Sequence, residues 1–321
     1  MTPISTPFDA RTSASQILAG TDLTGRRIIV TGASGLGGET VRALAGAGAA
    51  VTILTRRPEQ ARPILDEHPQ TEVAAVDLAD LGSVAAFCKG WSRPVDCVVA
   101  NAGVIMLPTR QVNAQGWELQ LATNYLGHFA LLNGLYDALR QSPDPRVVMV
   151  SSGAQLMAGF DFADPHFEHR AYDPFIAYAQ SKTADALLAA GISRRWADAG
   201  ITANACSPGS AHTALGRHLD QAAMQALGAM DEEGRPVTPS YFKTPEQAAA
   251  TSVPLAASPL VQGVSGHYFE DNQEAVTVEG GLHLMQQGIG NLLGLVASWS
   301  LDPKAADALW DYALPVLDSV R

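Results

Sequence analysis

The sequence predicts a doubly wound, mainly parallel α/β sheet folded as a single domain, and three observations carry that expectation. Short apolar runs alternate along the chain with stretches of helical periodicity. Each run ends in small or polar residues, the composition of strand tips where a ligand lies beyond the carboxyl ends of a parallel sheet. The first run leads directly into a glycine cluster, Gly32, Gly35, Gly37 and Gly38, that opens a helix. No internal repeat or low-complexity linker divides the 321 residues.

The elements follow in order. Residues 1–24 carry Thr, Ser and Pro with a short apolar patch at Ile17-Leu18, which reads as an N-terminal surface arm with one helical turn ahead of a domain over residues 25–321. Arg27 to Thr31 is a continuous apolar run of the kind that a parallel strand covered on both faces shows. A helix from the glycines to about Ala47 then leads to a second run, Ala50 to Leu54. In such a βαβ unit the glycines let the backbone approach a pyrophosphate, whose charge is met by free N–H groups at the helix N-terminus. The same residues would also serve a plain strand-to-helix turn. NAD-binding folds usually place an acid at the end of the second strand for the ribose 2'-hydroxyl, whereas this chain has Thr55-Arg56-Arg57. A missing acid and a present guanidinium suit a 2'-phosphate, so NADP(H) is expected over NAD(H), with ordinary solvated arginines as the plain alternative.

Strands near Glu72 to Val76 and Val95 to Ala100 end at Asp77-Leu78 and Asn101-Ala102-Gly103, with a helix near Leu81 to Lys89 between them. Asn124 sits inside the next helical stretch, where Asn is unfavourable by propensity. Arg146 to Val150 delivers Ser151-Ser152 at its tip, and an irregular interval of 26 residues from Ser152 to Tyr178 reads as a loop over the site. Asp173 caps and Pro174 starts the helix that carries Tyr178, which Gly200 can stop. Ile201 to Cys206 is a sixth run ending in Ser207-Pro208-Gly209, and Gly266 to Phe269 is a last short strand. Ala306, Leu309, Trp310, Ala313 and Leu317 recur at helical spacing, so 303–320 should dock as an amphipathic helix.

Composition narrows the function classes. Lys plus Arg number 21 against 32 Asp plus Glu, and the net charge of -11 repels phosphate polymers, which argues against nucleic acid as a partner. Hydrophobic residues at 47% supply a sizeable core. Cys88, Cys97 and Cys206 are scattered without metal-ligand spacing and read as buried free thiols of a reducing compartment. The N-terminus lacks the basic start and apolar block of a signal peptide. The best apolar run, 288–301, is interrupted by Asn291 and too short to span a bilayer, so a soluble, cytoplasmic protein is expected. His166, His169, Asp161, Asp164 and Glu168 crowd one loop but match no closed metal site, and no metal is assigned.

Tyr178 and Lys182 are four apart, so on a helix they leave the same face one turn apart. An ammonium beside a phenol favours phenolate, drawing a pKa of about 10 toward neutrality, which makes a general acid/base. Any Ala-rich helix can carry such a pair by chance, so the spacing gains meaning only from the other stretches.

Taken together, Thr31 to Gly37, Asn101-Ala102-Gly103, Asn124, Ser152, Tyr178-x3-Lys182 and Pro208-Gly209-x3-Thr213 resemble the short-chain dehydrogenase/reductase family over roughly residues 24–270. Arg56, Asn124 to Phe129 and the long interval before Tyr178 are similar to its retinol-dehydrogenase-like and WW-domain-oxidoreductase-like branch. The resemblance implies a Rossmann fold and reversible hydride transfer between NADP(H) and a small-molecule carbonyl or alcohol. It implies that Tyr178 gives or takes the proton, and that Lys182 lowers its pKa and holds the nicotinamide ribose. Ser152 would bond the substrate oxygen, Ser151 taking that role only if the register slips, and Asn124 would support a water leading protons to Lys182. It further implies Gly32, Ser34, Gly35, Leu36 and Gly37 in the cofactor loop, Asp77 and Leu78 beside adenine, and Asn101, Ala102 and Gly103 along the cleft. Pro208, Gly209 and Thr213 would hold the nicotinamide end.

One departure bears on the cofactor. The family's loop reads Thr-Gly-x3-Gly-x-Gly, and Thr31-Gly32-x2-Gly35-x-Gly37 is one residue shorter. Two alternatives follow. A non-catalytic dinucleotide sensor would need none of Asn124, Ser152, Tyr178 and Lys182, which are all present. A sugar-nucleotide epimerase or dehydratase fits the spacing of Gly32, Gly35 and Gly38 but not the later motifs. The expected substrate is bulky and mostly apolar, because Leu156, Met157, Phe160, Phe162, Phe167 and Phe175 lie in the interval before or beside Tyr178 and Val104, Ile105 and Met106 follow Gly103. These side chains could equally anchor the loop to the body. A homo-oligomer is allowed, though nothing in the sequence specifies one.

Overall fold

The computed structural model describes residues 3–211, 219 and 221–318. The apolar runs become strands β1 Arg27–Thr31, β2 Ala50–Thr55, β3 Glu72–Ala75, β4 Cys97–Ala100, β5 Arg146–Val150, β6 Thr202–Ser207 and β7 Tyr268–Glu270, close to where the sequence puts them. They lie in the order β3-β2-β1-β4-β5-β6-β7, all parallel, and a short β8, Gln273–Glu274, returns antiparallel on β7. The chain order reverses between β1 and β4, so this is the doubly wound sheet expected, and its crevice opens beyond the carboxyl ends of those two strands. Strands β4 and β5 are buried along their whole length because helices cover both faces. One core layer is built on Tyr125, Phe129, Leu131 and Trp310, the other on Ile28, Val30, Leu44 and Val253.

The helix that carries Tyr178 spans Pro174–Arg195, with the Asp173 carboxylate accepting the N–H groups of Phe175 and Ile176 and proline in the first turn. It runs through the interior, buried from Ala177 to Ile192, and its many alanines let neighbours come close. It ends before Gly200: Trp196 caps it, a 3-10 turn Ala197–Ala199 follows, and Gly200 closes that turn at φ 73°. The stretch around Asn124 is no single helix. A π turn, Ala122–Leu126, joins Leu119–Leu121 to Gly127–Gly134, and a Cβ at Gly127 would overlap the Leu78 carbonyl beyond β3.

The ends of the chain are tied down. The arm's one turn, Ala14–Ile17, closes a capping box between Ser13 and Gln16. Ile17 and Leu18 are buried rather than loose, and Thr6 Oγ1 donates to the Asn272 carbonyl at 2.8 Å. The C-terminal helix, Pro303–Asp318, buries Ala306, Leu309, Trp310 and Ala313 as its spacing requires, with Val316 rather than Leu317 completing the stripe. Strands β9 Val276–Val278 and β10 Leu295–Ala297 form a small parallel pair that the sequence did not announce. Between them lie the 3-10 turns Leu282–Gln287 and Ile289–Leu292. Among the described residues no helix is long and apolar enough to cross a membrane.

Candidate functional site

Strand β1 ends at Thr31, whose buried hydroxyl accepts the backbone N–H groups of Asn101 and Ala102, both at 2.9 Å, and lies 2.9 Å from His128 Nε2. With two donors arriving, the hydroxyl proton goes to Nε2. The network therefore assigns the ring proton to Nδ1, which donates to the Asn124 carbonyl at 2.6 Å. Burial depresses the imidazole to a pKa of about 4, so His128 is neutral. Asn101 Nδ2 donates to the Thr31 carbonyl. A Cβ at Gly37 would overlap that same amide and the Gly32 carbonyl, so Gly37 backs the glycine loop from behind.

Tyr178 and Lys182 share one helix face, with Lys182 Nζ 5.9 Å from the Tyr178 ring centroid. The ammonium is not bare. It donates to the Val150 carbonyl at 2.9 Å and to Asp185 Oδ2 at 2.8 Å. Burial is the largest influence on Lys182 and works against its charge, but Asp185, with Tyr178 and Cys206 adding to it, holds the ammonium above its ordinary pKa. Burial raises the Asp185 carboxyl in turn, against the pull of Lys182.

Ser151 and Ser152 differ sharply. Ser151 Oγ is buried and donates to the Lys182 carbonyl at 2.7 Å, whereas Ser152 Oγ caps the turn Gly153–Leu156 by accepting the Ala154 N–H at 3.2 Å. Asn124 Nδ2 donates to the Val104 carbonyl at 3.0 Å and to Ser181 Oγ at 2.9 Å, while Oδ1 accepts the Val104 N–H at 2.8 Å. Both amide protons are thus taken up in tying the loop after β4 to the Tyr178 helix.

Two cavities meet at Tyr178. The first, about 550 Å³, is lined by Gly32, Ser34, Gly35 and Leu36, by Arg56, by Asp77 and Leu78, by Asn101, Ala102 and Gly103, and by Tyr178, Lys182 and Pro208. Gly209 faces the second cavity instead, and Thr213 lies outside the described residues. Arg56 and Arg57 stand exposed at the lip without an ion pair among the described residues. Asp77 Oδ1 accepts the Ala79 N–H at 3.0 Å.

The second cavity, about 570 Å³, shares Leu36, Ile105, Tyr178 and Pro208 with the first and reaches Ser152. Of the apolar side chains that the sequence offered, Ile105, Met106, Met157 and Phe175 face it, and Val104 faces the first. Leu156 belongs to the core. Phe160 packs on Phe162 and Tyr312, and Phe167 meets Tyr172 and carries the Arg170 guanidinium 3.8 Å over its ring. These four do not line the site, because the interval folds down onto the body and the C-terminal helix. The opposite wall is instead Met285, Ile289, Leu292 and Leu293, with Met224, Leu227 and Phe242. The apolar run at 288–301 was the one signal for it.

Glu270, also in that wall, went unnoticed in the sequence. Its carboxylate accepts Ser207 Oγ–H at 2.9 Å and the Gly294 N–H at 2.8 Å, and burial pushes its pKa up to about 7.

A family model described as short chain dehydrogenase matches residues 26–223. A protein of Streptomyces lividans named "Probable oxidoreductase" is 55% identical over 304 residues, covering 93% of this chain and 99% of that one. Retinol dehydrogenase 13 of Mus musculus is 36% identical over 263 residues, 78% of this chain and 77% of that one, in keeping with the expected branch. The structure of a gluconate 5-dehydrogenase from Burkholderia cenocepacia J2315 in complex with NADP and tartrate matches at a TM-score of 0.58 and 25% identity, over 77% of this chain and 94% of that one.

Glu270 yields a prediction about stability. A carboxyl raised from 4.5 to about 7 on folding contributes stability that is present below its unfolded pKa and is lost as pH rises through about 7. Glu270→Gln mimics the protonated acid. The variant should melt close to the native protein at about pH 5 and gain roughly 1–3 kcal/mol on it at about pH 8.5. Thermal unfolding at both pH values checks this, and a difference independent of pH would remove the assignment.

Proposed function

This chain belongs to the short-chain dehydrogenase family, and on that premise we propose that it is an NADP(H)-dependent oxidoreductase interconverting a ketone or aldehyde and an alcohol on a bulky, mostly apolar substrate. The observation that carries the reading is the position of Tyr178, at the junction of a glycine-edged cleft and a largely apolar cavity. A dinucleotide suits the first cavity despite the shortened loop. No side chain caps the helix Leu36–Gly46 at Gly35, which leaves its first N–H groups for a pyrophosphate. The Arg56 and Arg57 guanidinium groups at the lip, with no acid after β2, suit a 2'-phosphate.

The bound nicotinamide would supply or accept the hydride. Tyr178 passes the proton to or from the substrate oxygen, and the Ser152 hydroxyl orients that oxygen. Lys182 has three N–H bonds and two partners within the protein, so one N–H remains for the nicotinamide ribose. Asn124 fixes the loop at Gly103 and Val104 against which that end of the cofactor rests. Pro208 borders the same end, and Gly209, on the side of the second cavity, and Thr213 complete the set carried over from the family. In the second cavity, burying apolar surface favours a ligand by about 25 cal/mol per Å², whereas a polyol entering it loses hydrogen bonds to water.

Three measurements test the reading. Tyr178→Phe should keep NADPH binding while turnover falls by on the order of 10²–10⁴; a near-native rate would remove the acid/base assignment. Native kcat/KM should favour NADPH over NADH and Arg56→Asp should reverse the ratio, so an NADH-favouring native protein sinks the cofactor choice. Across matched aliphatic, aromatic and polyhydroxylated ketones, kcat/KM should be lowest for the polyhydroxylated members, and the opposite ranking rules out the apolar substrate.

A further inference from the structure

We infer that Asp185 is a positioning residue for Lys182, supplying the counter-charge that keeps the buried ammonium protonated and aimed at the cofactor cleft. The inference rests on the role given to Lys182 above and adds a residue that the family's motif does not contain. Asp185 lies one turn beyond Lys182 on the same helix, and the two side chains are 2% and 6% exposed. Its Oδ2 takes one ammonium N–H at 2.8 Å and the Val150 carbonyl takes a second at 2.9 Å, which fixes where the third must point. Among the described residues its Oδ1 has no hydrogen-bond partner. A carboxylate recruited to hold the fold together would be expected to use both oxygens; this one is committed to the lysine alone.

Among the described residues no other carboxylate bears on the ammonium. Tyr178 faces the ammonium from the same helix. Cys206 on β6 is pushed up to about 12 by burial, and Tyr125 and Tyr268 are pushed up as well, so all three stay neutral. His128 is pushed down and is neutral too. Beyond Cys206, Lys243 is already paired with Asp271, and Glu270 is bonded to Ser207 and Gly294. Without Asp185 the ammonium loses the largest influence that opposes burial, and a buried amine without a counter-ion tends to shed its proton.

The test is a titration with NADPH from about pH 6.5 to 9.5, following the fluorescence of the bound nucleotide, for the native protein and for Asp185→Asn, which removes the charge and keeps an acceptor of the same shape. The variant's Kd should lie within about threefold of native at the acid end, where the native carboxyl also takes up a proton. It should be weaker by about tenfold or more at the alkaline end, where its lysine has lost charge and the native one has not. If Asp185→Asn fails to fold, Asp185→Ser is read in the same way. A ratio of Kd values that stays constant with pH, whatever its size, overturns the inference and leaves the proposed function standing. Failure of the native protein to bind NADPH at all overturns both.

Discussion

A single buried hydroxyl couples the two halves of the doubly wound sheet. Thr31 stands where β1 ends, takes the first two N–H groups beyond β4, and passes its own proton to His128 on the helix packed behind both. His128 then holds the carbonyl of Asn124. Each link depends on the one before: a threonine without two incoming donors would leave the imidazole free to adopt its other tautomer, and Asn124 would lose its donor. The low pKa of His128 keeps the chain of bonds neutral, which matters in a place where an unpaired charge would be costly. The π turn Ala122–Leu126 sits at this point, and Asn124 within it reaches both Val104 and Ser181. The loop after β4 and the Tyr178 helix are thereby fixed to the network at the tips of β1 and β4.

Charge is distributed by depth. Arg56 and Arg57 are exposed at the lip of the first cavity, where the desolvation penalty on a charge is small. Lys182, deep in the crevice, is accompanied by a carboxylate on its own helix. Removing either member of such a pair is more damaging than replacing both, because the survivor must stay charged in a medium that cannot solvate it or give up its charge. Glu270 meets the same problem differently. It is held by two neutral donors and relieved by a raised pKa, so it is a proton-binding group near neutrality.

The strands were legible because a parallel strand buried on both faces has a continuous apolar signature, and much of the lining of the first cavity was legible because its residues sit at strand tips. Side-chain direction was not legible. Phe160, Phe162 and Phe167 are as apolar as Phe175, but only Phe175 faces the second cavity, since the path of an irregular loop is decided by contacts such as that of Phe160 with Tyr312, far along the chain. Asp185 in an Ala-rich run looks like any solvated charge until its helix is known to be buried all round. Gly200 invites a helix stop, but Trp196 finds its own place against Tyr136 and Trp310 first. The wall at 282–293 depends on pairings between β9 and β10 and between Glu270 and Gly294, which no local pattern encodes.

That wall is nonetheless held in register with Ser152, through Gln155. This buried side chain follows Ser152 by three residues in the turn Gly153–Leu156 and binds the far segment repeatedly. Its Oε1 accepts the Ala297 N–H at 3.0 Å and the Ser300 hydroxyl at 2.8 Å, its Nε2 donates to the Leu295 carbonyl at 3.2 Å, and its backbone carbonyl accepts Trp299 Nε1–H at 3.0 Å. The segment from Leu295 to Ser300 is therefore in fixed register with Ser152, although the family-matched part of the chain ends at residue 223. Residues 282–293 hang between this anchor and β9, free of the hydrogen bonds that hold Tyr178, Lys182 and Asn124. Leu292 and Met285 pack in one cluster with Leu156, Met157 and Ala179, whereas Ile289 lies outside it, so Ile289 is the wall position that can change the apolar cavity with least effect on the Tyr178 helix. Substitution at Gln155 would disturb the cavity and Ser152 together, because it joins the wall to the serine that the wall faces.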